Sequence, residues 1–141
     1  MKTIKAMMSL ALIAVCGFAN AAPKTHHDNA TKEEVVDTYL DAVVHGDLNG
    51  IDRAIDDNAH FYVQHGVRIL ANDKKDMMTF FKENANIDKN CDYSSKVLNQ
   101  GENFLIEKVV MKFKEITRTD VITAQRSDDG WKITKVETSY K

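Results

Sequence analysis

This sequence predicts an α+β domain in which helices come first and a long, mostly antiparallel sheet then curls round two or three of them into a cone. Three observations carry the prediction. Apolar residues between Thr31 and Ile55 repeat with the period of a helix. From Asp92 onward the apolar pattern changes to a period of two, as in strands. The two patterns are segregated along the chain and do not alternate, which excludes a doubly wound arrangement of βαβ units.

The first helix starts at Thr31. Thr31 and Glu34 stand in the spacing of a capping box, in which each side chain satisfies a backbone N–H that the helix leaves open. Val35, Val36, Tyr39, Leu40, Val43 and Val44 then paint one stripe along it. Gly46 ends the helix, because glycine enters the left-handed conformation without a Cβ clash. Asp47 is placed to cap a second, shorter helix that turns Leu48, Ile51 and Ile55 inward.

His60–Gln64 is rich in strand formers, and the His65-Gly66 turn leads into Val67–Leu70, so a short hairpin is expected. Asn72 or Asp73 caps a third helix that runs to about Glu83, with Met77, Met78, Phe80 and Phe81 on its inner side. Thioethers and rings suit a core and equally the wall of a ligand cavity.

Four strands follow, near Tyr93–Gln100, Phe104–Glu115, Thr117–Ser127 and Trp131–Tyr140. Gly101-Glu102-Asn103, a bend at Ile116 and Asp128-Asp129-Gly130 separate them. On the second of these strands Leu105, Val109, Met111 and Phe113 share a face with Glu107, whereas Lys108, Lys112 and Lys114 share the other with Phe104, Ile106 and Val110. Neither face is purely polar. Helices covering one side and a second copy of the chain on the other is one arrangement that fits, which makes a homodimer an open alternative. Arg118 and Asp120 share a face with Ile122 and Ala124. A salt bridge on the exposed sheet is expected there, with an anion-binding role as the alternative. His60 and His65 adjoin turns and are expected to touch water.

Ahead of this domain, Lys2 and Lys5 precede an apolar run from Ala6 to Phe18, and Ala19-Asn20-Ala21 offers small residues for cleavage. Residues 1–21 therefore read as a signal peptide, and the run is short for a bilayer span. Cys16 inside it leaves a lipoprotein leader as an alternative, against which Val15 is large for the position before a lipidated cysteine. Residues 22–30 read as a flexible lead-in whose His26 and His27 are too few to hold a metal, and residues 31–141 as the domain. An exported chain, periplasmic or secreted, is the expectation. About 120 residues remain after cleavage, enough for one core.

Loss of two lysines and no acid takes the formal charge from −2 to −4, so neither nucleic acid nor, after cleavage, a membrane is an expected partner. Cys91 is the only cysteine left, which excludes an internal disulfide and leaves an inert, half-buried thiol as the expectation. The sequence holds no glycine-rich phosphate loop, no zinc-ligand spacing, no Gly-x-Ser-x-Gly elbow and no heptad run, so no cofactor and no metal is implied.

Four motifs give the chain a resemblance. Tyr39-Leu40-Asp41-Ala42, the His45–Ile51 elbow, Asp56-Asp57-Asn58-Ala59 and Asp129-Gly130-Trp131-Lys132-Ile133 together resemble the nuclear-transport-factor-2-like superfamily of conical α+β domains over nearly all of Thr31–Tyr140. That group includes ketosteroid isomerases, polyketide cyclases, scytalone dehydratase and small secreted proteins labelled putative lumazine-binding. The resemblance implies a pocket in the mouth of the cone, and the fold alone does not choose an activity for it. In the isomerases a first-helix tyrosine donates to a developing oxyanion, a role that Tyr39 matches in position. Their base is an aspartate on the first strand, where this chain has Tyr62 or its neighbours Phe61 and Val63. A proton shuttle needs a base within reach of the substrate, and none stands there.

The expected function is therefore binding of a small, mostly apolar ligand in the cone mouth, without a demonstrable catalytic set. Its wall is expected to draw on Tyr39, Val43, Phe61, Val63, Met77, Phe80, Phe81, Met111, Phe113 and Arg118, with Tyr39 as the one polar atom facing the pocket. One alternative is an isomerase-, dehydratase- or cyclase-type enzyme in which Tyr39 works with the carboxylate of Glu107 or Asp120. Another is a dimeric interaction module that docks through Phe104, Ile106 and Val110.

Overall fold

The computed structural model describes residues 30–141; the stretch expected to be a signal peptide, the expected lead-in up to residue 29, and His26 and His27 with it lie outside the described residues. Helix α1 (Lys32–Leu40) begins at its capping box. Glu34 donates its backbone N–H to Thr31 Oγ1 at 3.2 Å, and Thr31 donates its own to Glu34 Oε2 at 2.7 Å. A π-helical turn, Asp41–His45, carries the chain on to Gly46 at φ +67°. That glycine is needed for a second reason. Asn86 donates its N–H to the Gly46 carbonyl and Lys89 donates to that of Val44, both at 2.9 Å. With the 84–89 loop drawn in so closely, a Cβ on Gly46 would stand 2.5 Å from the Asn84 carbonyl oxygen.

Asp47 does not cap the next helix. Its carboxylate accepts from the Asn49 N–H at 2.9 Å, a local turn that competes with capping. Helix α2 (Ile51–Ala54) starts only after Gly50, at φ +82°. Helix α3 (Lys74–Glu83) is capped by Asp73, which forms a reciprocal capping box with Asp76.

Six strands form one curved, open sheet in the order β2-β1-β6-β5-β4-β3: β1 Ile55–His65, β2 Arg68–Asn72, β3 Asp92–Gln100, β4 Phe104–Lys112, β5 Thr117–Ser127 and β6 Gly130–Tyr140. All neighbours are antiparallel except β1 and β6, which run parallel. The cone is thus open-edged and not a closed barrel. Two boundaries differ from the sequence expectation. Strand β1 is longer than the short hairpin arm, because Ile55 already pairs with Ile133 of β6, and a register shift follows before His60. Asp56-Asp57-Asn58 reads as a turn, and locally it is one, with Asn58 donating to Asp56 at 2.9 Å. Strand β4 stops at Lys112, and Phe113 lies in the following turn, its N–H bonded to the Ile116 carbonyl at 2.9 Å.

Helix α1 packs on β5 and β6, and α3 on β1, all on the concave side. The core between them is built from Val35, Val43, Ile51, Ile55, Leu105, Val109, Ile122, Ile133 and Val136, all fully buried. On the convex side Phe104, Ile106 and Val110 are half-buried. Cys91 is a free, half-buried thiol whose pKa burial raises. No helix among the described residues is long and apolar enough to cross a membrane.

Candidate functional site

The sheet register sets out the site in two rungs. Leu70, Val63, Thr138, Asp120 and Val109 stand opposite one another across β2, β1, β6, β5 and β4, and Tyr140, Arg118 and Met111 form the next rung across β6, β5 and β4. Arg118 and Asp120 fall on the concave face because they keep the parity of the buried Ile122 and Ala124. The expected surface salt bridge is therefore a buried one.

Tyr39 descends onto this pair from α1. Its hydroxyl donates to Asp120 Oδ2 at 2.9 Å and accepts from Arg118 Nη2 at 3.2 Å. Arg118 also donates Nε to Asp120 Oδ1 at 2.9 Å and Nη2 to Oδ2 at 2.8 Å, the bidentate fork that guanidinium and carboxylate favour. Thr138 Oγ1 donates to Oδ1 at 2.8 Å. Asp120, at 0 % exposure, thus accepts four hydrogen bonds, about the capacity of a carboxylate. One guanidinium nitrogen is left over. Arg118 Nη1 has no hydrogen-bond partner among the described residues, and it is not sealed off, since no buried side-chain nitrogen or oxygen lacks a partner.

Burial first, and then the charge of Asp120, hold the Tyr39 pKa well above the usual tyrosine value. Burial alone would lower the pKa of Arg118, but the Tyr39 and Asp120 oxygens outweigh it and raise it, so the guanidinium stays charged. Phe81 braces Tyr39 from behind, edge to face, at 6.1 Å between ring centroids.

Above this cluster lies a half-open cavity of about 290 Å³, bounded by α1, β1, β2, β5, β6 and α3. Of the residues expected to line it, Tyr39, Phe61, Val63, Met77, Phe80 and Arg118 do so. Val43, Phe81 and Met111 belong instead to the buried core, and Phe113 sits beyond the end of β4. Val43 is one helical turn past Tyr39, Phe81 is behind its ring, and Met111 is one strand further from the cavity than Arg118. Glu107 faces the core side but stays half-exposed opposite Ile122, outside the cavity, so it is no partner for Tyr39. Asp120 is that partner, yet it too lies off the wall, behind Tyr39 and Arg118. Tyr39 is therefore not the one polar group facing the pocket, because Arg118 and Thr138 join it.

His65, Leu70, Asn72, Asp76, Thr138 and Tyr140 complete the wall, and the sequence pattern does not point to them. Thr138 keeps the parity of Val136 on β6, a signal present in the sequence, but only the β5–β6 register says that Asp120 stands opposite. Leu70 and Asn72 sit on an edge strand whose residues are mostly exposed, and no local pattern marks them. His65 stacks on Tyr140 at 5.9 Å at the rim, and His60 stacks on Tyr62 at 6.2 Å; both histidines are exposed as expected. A second hollow of about 660 Å³, polar and more open, lies among α1, the Gly101 turn and Trp131. Among the described residues no group of three or more His, Cys, Asp or Glu is arranged to hold a metal ion.

A family model described as putative lumazine-binding matches residues 27–140. No curated protein matches the chain. Among solved structures it resembles a nuclear-transport-factor-2-like protein of unknown function from Silicibacter pomeroyi, with 18 % identity, a TM-score of 0.59, and coverage of 76 % of this chain and 88 % of that one. A structure described as a putative ketosteroid isomerase from Shewanella frigidimarina is 17 % identical, with a TM-score of 0.56 over 74 % of this chain and 91 % of that one. A nuclear-transport-factor-2-like protein of unknown function in nutrient uptake from Rhodospirillum rubrum is 18 % identical, with a TM-score of 0.55 over 74 % and 93 %. At these identities the likeness establishes the fold and carries no activity with it.

Proposed function

We propose a ligand-binding role from one premise: this chain belongs to the putative lumazine-binding family and has the nuclear-transport-factor-2-like fold. The ligand is a small, mostly apolar molecule held between α3 and the β1–β2–β6 part of the sheet. The observation that carries the reading is the cavity's composition. Phe61, Val63, Leu70, Met77 and Phe80 supply apolar wall, and a buried polar cluster at the base leaves one guanidinium nitrogen unspent. Small-molecule sites of this kind pair an apolar lining with a few fixed polar groups, and about 290 Å³ stands at the small end of their range.

What favours binding over proton transfer is the state of Asp120. A base must reach the substrate proton, whereas this carboxylate is fully buried behind Tyr39 and accepts four hydrogen bonds. Tyr39 for its part has one proton and directs it at Asp120, leaving none for an oxyanion.

Titration with phenylnaphthylamine (NPN), a neutral dye that fluoresces in apolar surroundings, tests the reading. Saturable one-to-one binding is expected, weakened at least about tenfold by Val63→Trp, which fills the cavity with a side chain that a strand accepts. Binding that is absent, or that ignores Val63→Trp, overturns it.

A further inference from the structure

We infer that the ligand is an acid: an apolar, ring-bearing molecule whose single anionic head lies against Arg118 Nη1 while its body rests on Phe61, Val63 and Phe80. This rests on the binding role proposed above and names its ligand class. Two cations, Arg118 and Lys89, stand at this end of the fold, and the carboxylate beside Arg118, Asp120, is already saturated.

The first cation is Arg118. Its partner Asp120 is saturated by Nε, Nη2, Tyr39 and Thr138, and Nη1 has no partner among the described residues. The residue is 7 % exposed and lines the cavity, so a ligand there can reach this donor. The Nε–Nη2 edge is taken by Asp120 and the second Nη2 proton by Tyr39, so Nη1 offers its N–H groups singly, as charge-assisted donors to an oxygen of a carboxylate, sulfonate or similar head.

The second is Lys89. Its ammonium lies 5.0 Å over the ring centroid of Phe80, whose side chain forms part of the cavity wall. It has no acidic partner among the described residues, and it is half-buried. Burial, and after it the positive charge of Arg118, lower its pKa, so the two cations feel one another across the Phe80 end of the cavity. Arg118 and Asp120 cancel as a pair, so the charges left to act on a ligand are Lys89 beside Phe80 and Asp76 on the wall.

The opposing charge on the wall is Asp76. It stands exposed in the first turn of α3, engaged with the Asp73 N–H at 3.3 Å as part of the helix cap. An acid would therefore enter head first, its charge inward at Arg118 and away from Asp76, with His65 and Tyr140 stacked at the rim.

Two dyes with one ring system separate the possibilities. Anilinonaphthalenesulfonate (ANS) is NPN with a sulfonate added, and because NPN is the more apolar of the two, simple hydrophobic partition favours NPN. An acid site reverses that order, and ANS is expected to bind at least about tenfold tighter than NPN. Lys89→Gln, outside the buried cluster, should narrow the ratio severalfold. The double variant Arg118→Met/Asp120→Leu removes both charges together and strands neither; it should bring the ratio to one or below while NPN still binds. Equal or weaker binding of ANS in the wild type, with NPN bound, overturns the acid inference and leaves the binding role standing. A ratio unchanged by both changes overturns it as well. If neither dye binds, the binding role falls and the acid inference with it.

Discussion

The Tyr39 hydroxyl is one atom on which burial, charge and hydrogen bonding all act, and its removal should register in stability. Tyr39→Phe deprives the buried Asp120 of one of four donors and Arg118 of an acceptor. Leaving such groups short costs about 1–3 kcal/mol, to be read as a lower urea midpoint with an unchanged m-value near neutral pH. Alkali gives a second signature. The folded Tyr39 pKa lies well above its ordinary 10.0, so on raising the pH the unfolded chain loses this proton first. The folded state then binds more protons than the unfolded one, and stability falls as pH rises above about 10, by up to about 1.4 kcal/mol per unit from this group. Tyr39→Phe should flatten that limb; an alkaline limb as steep in the variant contradicts the assignment. At this scale the sequence was informative about direction and silent about distance. The parity shared by Arg118, Asp120, Ile122 and Ala124 already aims all four at one face. The general preference of charged strand residues for water points the other way, and only the arrival of Tyr39 from α1 and Thr138 from β6 makes burial affordable.

Among the elements, the elbow after α1 is where backbone and packing are most tightly coupled. Gly46 combines a left-handed φ with carbonyl and amide groups of Asn84, Asn86 and Ile87 standing where a Cβ would go, at 2.5 to 2.7 Å. Gly46→Ala should therefore lose the conformational cost of about 1–3 kcal/mol and more for displacing the 84–89 loop. Urea unfolding measures it, and a variant as stable as the wild type would show that the loop does not hold this position. The loop also carries Lys89 to its place over Phe80, so the elbow bears on the site from a distance. Helices and strands were legible here wherever a period ran long enough, as in α1, α3, β5 and β6. The first half of strand β1 was not, because Asp56-Asp57-Asn58 has turn chemistry and keeps it inside a strand, across a register shift that precedes the legible His60–Gln64. The parallel pairing of β1 with β6 was also invisible, since a strand's own pattern does not name its neighbour.

At the scale of the whole molecule, the fold leaves more than one hollow among the described residues, and the proposed function belongs to the one in the cone mouth. The cone was readable from motifs spread over Thr31–Tyr140, because turn and cap residues at fixed places commit the chain to one topology. The cavity was only half readable: residues on the regular inner faces of α3, β1 and β5 could be listed from pattern, whereas those from the edge strand and the rim could not. The measurement that decides is an amide chemical-shift titration of the isotopically labelled protein with NPN. Binding in the cone mouth predicts saturable shifts at Phe61, Val63, Phe80 and Thr138, with Gly101 and Trp131 unmoved. Saturable shifts at Gly101 and Trp131 with those four amides still, or no saturable shift anywhere, would contradict it.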